Sequence, residues 1–498
     1  MAVPALQQQV QDLEAQSGLE KWKRAELPLP PSPVGLGWIG VVGPGVIILG
    51  ASIGSGEFLL GPAAFVRYGL SILWVTLVAT FLQTLFNQEL MRYTLATGEP
   101  VITGFMRTKP SSTFWGWVYA LLYFIQVGWP AWAAAAAGAF FYLFTQRLAT
   151  PDEANLSYLI SAGLFFACVG VLLVGRRIER TLEILNWVLV TAILSTFAVL
   201  CAMFVAPSTW LRAGVGLFGF DLVSGRFAPW PENADFFLLG AFAAYSGAGG
   251  VINLTLSNWA RDRGYGMGGV TGFIPAAIGG QVVPLAHVGT TFTPDKEGMT
   301  RWHGWWRVIR ADQWGVFFGG ALIGMVLPAM LYVTFIPAGS DIRGYGIAAA
   351  LASSMATTEG AIFGVILATI GAWILFKTQL DIVEGTVRSV TDILWTGNDR
   401  LRAWSGGDVR KVYYGVLALA VVWGLGALRL AQPVVLLQLS ANMGALVFVI
   451  SGLHVLYVNT RLLPEPLRPS AGRRFALVGI SLFYGVFVSA WIGSLILA

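Results

Sequence analysis

The chain has 498 residues, of which 56% are apolar and only 11% are Asp, Glu, Lys or Arg, against roughly a quarter charged in a soluble domain. The 26 acids and 31 bases are too few to cover a water-soluble globule of this size. A formal charge of +5 spread over a mean hydropathy of +0.69 also excludes disorder and nucleic-acid binding, and fits a multi-pass protein of the plasma (inner) membrane.

Residues 1–34 are polar, end in Leu27-Pro28-Leu29-Pro30-Pro31-Ser32-Pro33, and lack the apolar core and cleavage site of a signal peptide. They read as a cytosolic lead-in. Eleven apolar runs near the length of about 20 residues that crosses a bilayer then follow, at 36–68, 70–94, 114–144, 158–174, 182–206, 236–259, 316–337, 361–395, 412–428, 434–457 and 475–497. With the N-terminus inside, 23 of the 31 basic residues fall on the cytoplasmic side, including Arg92, Arg107, Arg176, Arg177, Arg180, Arg261 and Arg263. Six fall outside (Arg67, Arg147, Arg212, Arg226, Arg343, Arg429) and two, Lys377 and Arg388, lie within a span. Because cytoplasmic loops keep an excess of Lys and Arg, this predicts a cytoplasmic N-terminus and an extracytoplasmic C-terminus. The domains are then 35–207 (helices 1–5), an extracytoplasmic loop 208–235, 236–458 (helices 6–10), and 459–498 (a loop and helix 11).

Two spans carry glycine-rich interruptions, which a membrane tolerates only where the freed backbone faces protein or an aqueous cavity. The first contains Gly54-Ser55-Gly56-Glu57, the sixth Gly247-Ala248-Gly249-Gly250 followed by Asn253. First and sixth are corresponding positions in two five-helix repeats, inverted because five spans reverse the second repeat. Broken helices at such positions point to a transporter's central site; close helix packing is the alternative. Glu57, a carboxylate at mid-membrane depth, is a functional residue by default. It is expected at the unwound centre of helix 1, facing the break in helix 6. Gly54, Ser55, Gly250 and Asn253 line the same region, and Gln438 and Asn442 share a face of the tenth span.

The third span is interrupted by Trp129-Pro130, read as a kink. A cytosolic loop is expected at 264–314, holding Gly264-Tyr265-Gly266-Met267-Gly268-Gly269 and His303-Gly304-Trp305-Trp306. Without a following Gly-Lys-Ser/Thr, those glycines read as loop rather than phosphate cradle. In the eighth span Lys377, Asp381, Glu384, Arg388 and Asp392 recur every three or four residues as one stripe of mixed sign. It is either a relay for coupled protons or a face projecting into the cytosol. His454 reads as a packed or interfacial histidine. Cys168 and Cys201, both in apolar runs, and only three histidines (His287, His303, His454) leave no disulfide framework or zinc centre.

The blocks Gly43-Pro44-Gly45, Ala51-Ser52-Ile53-Gly54-Ser55-Gly56-Glu57-Phe58, Tyr68-Gly69, Asn253-Leu254, Gly385-Thr386 and Leu437-Gln438-Leu439 resemble those of the Nramp family (natural-resistance-associated macrophage proteins) of divalent-metal transporters. The resemblance implies an all-α integral membrane protein of eleven transmembrane helices, with inverted five-helix repeats and broken first and sixth helices, the LeuT-type fold. Where that family carries Asp-Pro-Gly-Asn this chain has Gly54-Ser55-Gly56-Glu57, and where it carries Met-Pro-His this chain has Gly250-Val251-Ile252. The metal-site Asp and Met are thus missing. An oxygen-only site of Glu57, Asn253 and Gln438 suits hard ions such as Mg²⁺, Ca²⁺ or Mn²⁺. The implied function is a secondary transporter of a hard divalent cation, Mg²⁺ or Mn²⁺, proton-coupled through Asp381, Glu384, Lys377 or Arg388. A symporter of a small organic solute and a non-transporting membrane sensor are the alternatives. No enzyme is expected, because no nucleophile-base pair is evident, and no resident cofactor is implied.

Overall fold

The computed structural model describes residues 17–174, 177–231, 233–278, 284–340, 342, 347–430 and 433–497. The first sixteen residues of the lead-in, and Arg176 and Arg343 of the charge bias, lie outside the described residues. The long apolar runs form helices because only a helix satisfies its own backbone in hydrocarbon. They are α1 (Pro44–Tyr68), α2 (Leu73–Thr97), α3a (Ser112–Val127) and α3b (Ala131–Thr145), α4 (Ala154–Leu173) and α5 (Ile178–Phe204). After them come α6a (Phe236–Tyr245) and α6b (Val251–Arg263), α7 (Lys296–Phe335), α8 (Ala361–Gly397), α9 (Val409–Ala427), α10 (Pro433–Arg461) and α11 (Ala471–Leu497). Among the described residues ten helices are long and apolar enough to cross a membrane, and the sixth of the eleven expected spans is present as the two shorter pieces α6a and α6b. Their ends carry ordinary signals: Ser111, Asp235, Asp295 and Asp408 cap α3a, α6a, α7 and α9 through their side chains, and Gly98 and Gly264 close α2 and α6b in the left-handed region.

Burial ranks the helices. The most apolar stretch of α1 is wholly inside the protein, while only about 30% of those of α4, α5, α9 and α11 is buried. The outer helices expose Leu159, Phe166, Val188, Leu419 and Leu482, a surface suited to lipid and costly in water. Helix α1 is therefore the axis of the molecule, surrounded by α5, α6, α7 and α8.

Two expectations are corrected and one of two open alternatives is closed. Helix α1 is not broken: the chain stays helical from Pro44 to Tyr68, and residues Ile53–Leu60 widen into a π-helix. The wider turn keeps the backbone hydrogen-bonded, so Gly54 and Gly56 serve close approach instead of unwinding. The expected loop 264–314 ends at Asp295, since α7 starts at Lys296 and buries Trp302, Trp305 and Trp306 against the bundle. The stripe on α8 does not project into solvent; Lys377, Asp381, Glu384, Arg388 and Asp392 are all buried. Helix α3 is interrupted at Gly128–Pro130 as expected. The expected break in the sixth span is also present, between Tyr245 and Val251.

The described part of the lead-in is tied down. Lys23–Arg24 pair in parallel with Thr290–Thr291, Leu27 is buried, and Trp305 Nε1 donates to the Pro28 carbonyl at 2.9 Å. Glu99, just past the end of α2, collects Trp22 Nε1 (3.0 Å), Tyr93 Oη (2.7 Å), Arg107 Nε (2.9 Å) and the Gly289 amide (2.8 Å). Burial works against its charge, but Arg107 and these donors outweigh it and hold Glu99 below the ordinary carboxylate range. The Gly264–Gly269 stretch turns tightly against α2 and α6b, with Gly266 facing Leu95 and Gly268 facing Arg261, as the loop reading has it.

Candidate functional site

Glycines seat α1 in its surroundings. A Cβ at Gly50 would fall 1.6 Å from Asn186 Oδ1 and 2.3 Å from Lys377 Nζ. One at Gly54 would fall 2.2 Å from Thr378 Oγ1, and one at Gly56 1.7 Å from the Tyr245 carbonyl. The first two bring α1 against α5 and α8. The third presses the π-helical stretch onto the last residue of α6a, at the break itself.

Glu57 is fully buried. Ser52 Oγ donates to its Oε1, while Oε2 has no hydrogen-bond partner among the described residues. Its Cγ lies 3.7 Å from where a Cβ on Gly324 of α7 would stand, and the positive charge of Lys377 acts on it. It is thus Gly56, one residue earlier, that abuts the α6 break; the expectation that Glu57 itself faces that break is corrected. The helical turn sets this, because adjacent side chains leave a helix on different faces. Ser55 accepts from Trp132 Nε1 at 2.8 Å.

At the break, Gly247, Gly249 and Gly250 take φ values of +124°, +86° and +56°, a region that disfavours any side chain. The freed groups are satisfied by two glutamines. Gln83 of α2 donates to the carbonyls of Ala244 (3.3 Å) and Ser246 (3.1 Å) and accepts from the Ala248 amide (3.0 Å). Gln126 of α3a donates to the Gly249 carbonyl and accepts from the Val251 amide, both at 2.9 Å. Gly250 has no room for a Cβ, with Gln126 and Gly444 beside it. Sequence reasoning missed both glutamines. Their signal was an amide inside an otherwise apolar span, the same signal that picked out Gln438 and Asn442.

Asn253 donates to Asn87 Oδ1 (2.8 Å) and Gln83 Oε1 (3.2 Å) on α2. Asn442 donates to the carbonyls of Phe237 (2.9 Å) and Gln438 (2.8 Å), and Gly240 of α6a makes room for it. Glu57, Asn253 and Asn442 therefore have different neighbours on α7, α2 and α6a. Each nonetheless keeps one buried oxygen without a hydrogen-bond partner among the described residues, namely Glu57 Oε2, Asn253 Oδ1 and Asn442 Oδ1, and Gln438 keeps Nε2. Among the described residues no group of three His, Cys, Asp or Glu side chains is arranged to hold a metal ion.

The α8 stripe divides in two. Lys377 Nζ donates to Asp381 (3.3 Å) and to Asn186 of α5 (3.0 Å), and Asn186 Nδ2 donates to Asp381 (3.0 Å). This closed triad faces Gly50 of α1. Further along, Glu384, Arg388 and Asp392 interlock with α6b. Arg388 Nε donates to Glu384 (2.6 Å) and its Nη1 to Asp262, and Arg261 bonds Asp262 and Asp392 (both 2.6 Å). Trp259 Nε1 reaches Glu384 (2.8 Å) and Asn258 Nδ2 reaches Asp392 (2.6 Å). His454 is packed, bonded to Thr108 (2.9 Å) and Tyr119 (3.0 Å) and stacked on Phe105. Cys168 and Cys201 are buried free thiols.

Neither a protein-family model nor a curated protein sequence matches the chain. Among solved structures it is similar to a manganese transporter of Eremococcus coleocola bound to an aromatic bis-isothiourea substituted compound. The TM-score is 0.61 at 15% identity, over 95% of this chain and 92% of that one. A point variant of the same transporter aligns with TM-score 0.61 at 14% identity, over 96% and 92%. Mhp1, a nucleobase-cation-symport-1 family transporter, aligns over 90% of each chain with TM-score 0.47 at 14% identity. The fold is thus the LeuT type, with ten helices among the described residues long and apolar enough to cross a membrane.

Proposed function

We propose that the chain is a secondary transporter of a hard divalent cation, Mg²⁺ or Mn²⁺, working by alternating access in the plasma (inner) membrane with its N-terminus in the cytoplasm. The observation that carries this reading is the set of buried, unpartnered oxygens on Glu57, Asn253 and Asn442. Buried polar atoms are almost always paired, and three free oxygens on α1, α6b and α10 are ligands of the type a hard cation takes. Gln438 adds its carbonyl oxygen, and Gly54, Ser55 and Gly250 adjoin these residues in the chain with their backbone already hydrogen-bonded. The manganese transporters of the same architecture support this class of cargo. One carboxylate compensates little of a dication's charge, so the ion keeps several waters in transit. The α8 groups Asp381, Glu384, Lys377 and Arg388 are the candidates for coupling to protons.

The test is uptake into proteoliposomes of Mg²⁺, Mn²⁺, Ca²⁺, Cd²⁺ and small amino acids, by the native protein and by Glu57→Gln. Uptake of Mg²⁺ or Mn²⁺ that Glu57→Gln abolishes bears the reading out. Uptake of an amino acid alone moves it to the organic-solute symporter, which the free donor on Gln438 Nε2 favours. Metal uptake unchanged by the substitution makes Glu57 structural.

A further inference from the structure

Between α6b and α8 lies an unbroken chain of alternating charge: Glu384, Arg388, Asp262, Arg261, Asp392. Each member bonds the next, and the chain crosses from α8 to α6b and back. All five side chains are buried. Both ends are acidic, and each end has a neutral donor as its other partner, Trp259 for Glu384 and Asn258 for Asp392. Three carboxylates therefore face two guanidiniums. Widening the circle does not restore balance. The neighbouring α5 groups bring Glu179 and Glu183 with Arg180, and α6b adds Arg263, two acids against two bases. Lys377 is matched by Asp381 within its own triad.

An unmatched charge sealed between helices is expensive, and an ionisable group in that position takes up or gives up a proton instead. We propose that this chain is a proton-binding latch: Glu384 holds one proton while α6b lies against α8, and gives it up as the two helices part. The inference deepens the transporter reading and rests on it for the link between latch and cargo. Glu384 has acidic neighbours. Asp381 stands one turn away on α8, Glu179 approaches from α5 and Asp392 lies further along α8, while α9 presents the neutral Tyr413. Arg388 is its one bonded cation. Asp262, by contrast, sits between two guanidiniums and accepts the Ile274 amide, which suits a permanent anion. Asp392 is the least buried of the five, at 4% exposure. Proton loss from Glu384 leaves one uncompensated negative charge in the sealed interface, and water entering between α6b and α8 relieves it. Only a proton moves, from a carboxylic acid to water.

The experiment reads the latch without any cargo. In a protein carrying Cys168→Ser and Cys201→Ser, Ser389→Cys places a thiol on α8 where Ser389 bonds Thr255 of α6b at 3.1 Å. Its modification rate by a maleimide is followed from pH 5.5 to 8.5 in proteoliposomes, each rate divided by that of the detergent-unfolded protein at the same pH. The corrected rate is expected to rise about tenfold, the change that one decade in proton affinity produces. Glu384→Gln is expected to stay at the low, acid-side rate throughout, and Asp392→Asn, which leaves two carboxylates for two guanidiniums, to lose most of the rise as well. A flat profile in the parent protein overturns the latch, as does a profile of either variant that follows the parent. Should Glu384→Gln fail to insert, Glu384→Asp must retain the rise, and its loss there is equally fatal. Because no cation is present, these outcomes are independent of the uptake assay, where the cargo reading stands or falls.

Discussion

Gly56→Ala puts the contact between α1 and α6 to a quantitative test. The added methyl would lie 1.7 Å from the Tyr245 carbonyl oxygen, where 3.0 Å is the least that real Cβ atoms show. The obstacle is backbone, so no side-chain rotation relieves it, and α1 must move bodily from α6a. Overpacking of this kind costs about 1–3 kcal/mol, and a clash with backbone belongs at the upper end. About 3 kcal/mol corresponds to roughly two decades in an equilibrium, so the state with α1 seated on the break becomes about a hundredfold rarer. The control is Gly163→Ala on the exposed side of α4, where nothing lies within 4 Å and alanine stabilises a helix by about 0.5–1 kcal/mol over glycine. Initial uptake rates and thermal unfolding in detergent are measured for both. Gly56→Ala should lose most transport and melt lower, and Gly163→Ala should melt at or above the parent. Equal behaviour of the two would refute the reasoning.

Other expectations follow from the same contacts. An oxygen-lined path should not favour cadmium over manganese, since the two differ mainly in softness; competition uptake measures this, and tight cadmium binding contradicts it. Glu99→Ala leaves Arg107 buried without its carboxylate, a loss of about 3–5 kcal/mol, and should release residues 17–34 to limited proteolysis. In the native protein Glu99 is held below the ordinary carboxylate range, so its contribution is present above that range and disappears only as pH falls through the lowered value. The segment should therefore stay protected from pH 8 to pH 5, and release at pH 6 would show that Glu99 does not hold it.

The elements of this fold were legible because hydrocarbon leaves a chain so few options. Apolar runs of spanning length become helices, but a start such as that of α7, capped by Asp295 inside what reads as a loop to residue 314, was not legible. The two glycine-rich interruptions looked alike in sequence and came out differently. At Gly247, Gly249 and Gly250 the glycines adopt positive φ and the helix parts. At Gly54 and Gly56 they keep helical geometry and serve as seats for Thr378 and the Tyr245 carbonyl. Which of the two happens depends on the atoms opposite, more than 120 residues away in the chain, and no local pattern records them. The stripe on α8 shows the same limit. Its period placed five charges on one face, but its partners Asn258, Arg261 and Asp262 belong to α6b. Arg92, Arg107 and Arg261 were legible as markers of orientation; the structure also employs them as buried ion partners.

The two halves of that stripe make opposite predictions. Lys377 and Asp381 form a balanced pair, with Asn186 bonded to both, against a glycine of α1. Replacing one member leaves the other buried and unmatched, at a cost of about 3–5 kcal/mol, whereas replacing both with neutral residues of similar shape is often neutral or stabilising. Lys377→Met should therefore unfold at markedly lower temperature than the parent, and Lys377→Met with Asp381→Asn should recover most of the loss. The pH profile of uptake supplies the functional readout. A balanced pair that stays matched through the cycle binds no net proton, so the double variant should transport with the parent's pH dependence, while Glu384→Gln should lose it. If the double variant loses its pH dependence and Glu384→Gln keeps it, the proton travels by Lys377 and Asp381, and the interlock of α6b with α8 is only structural.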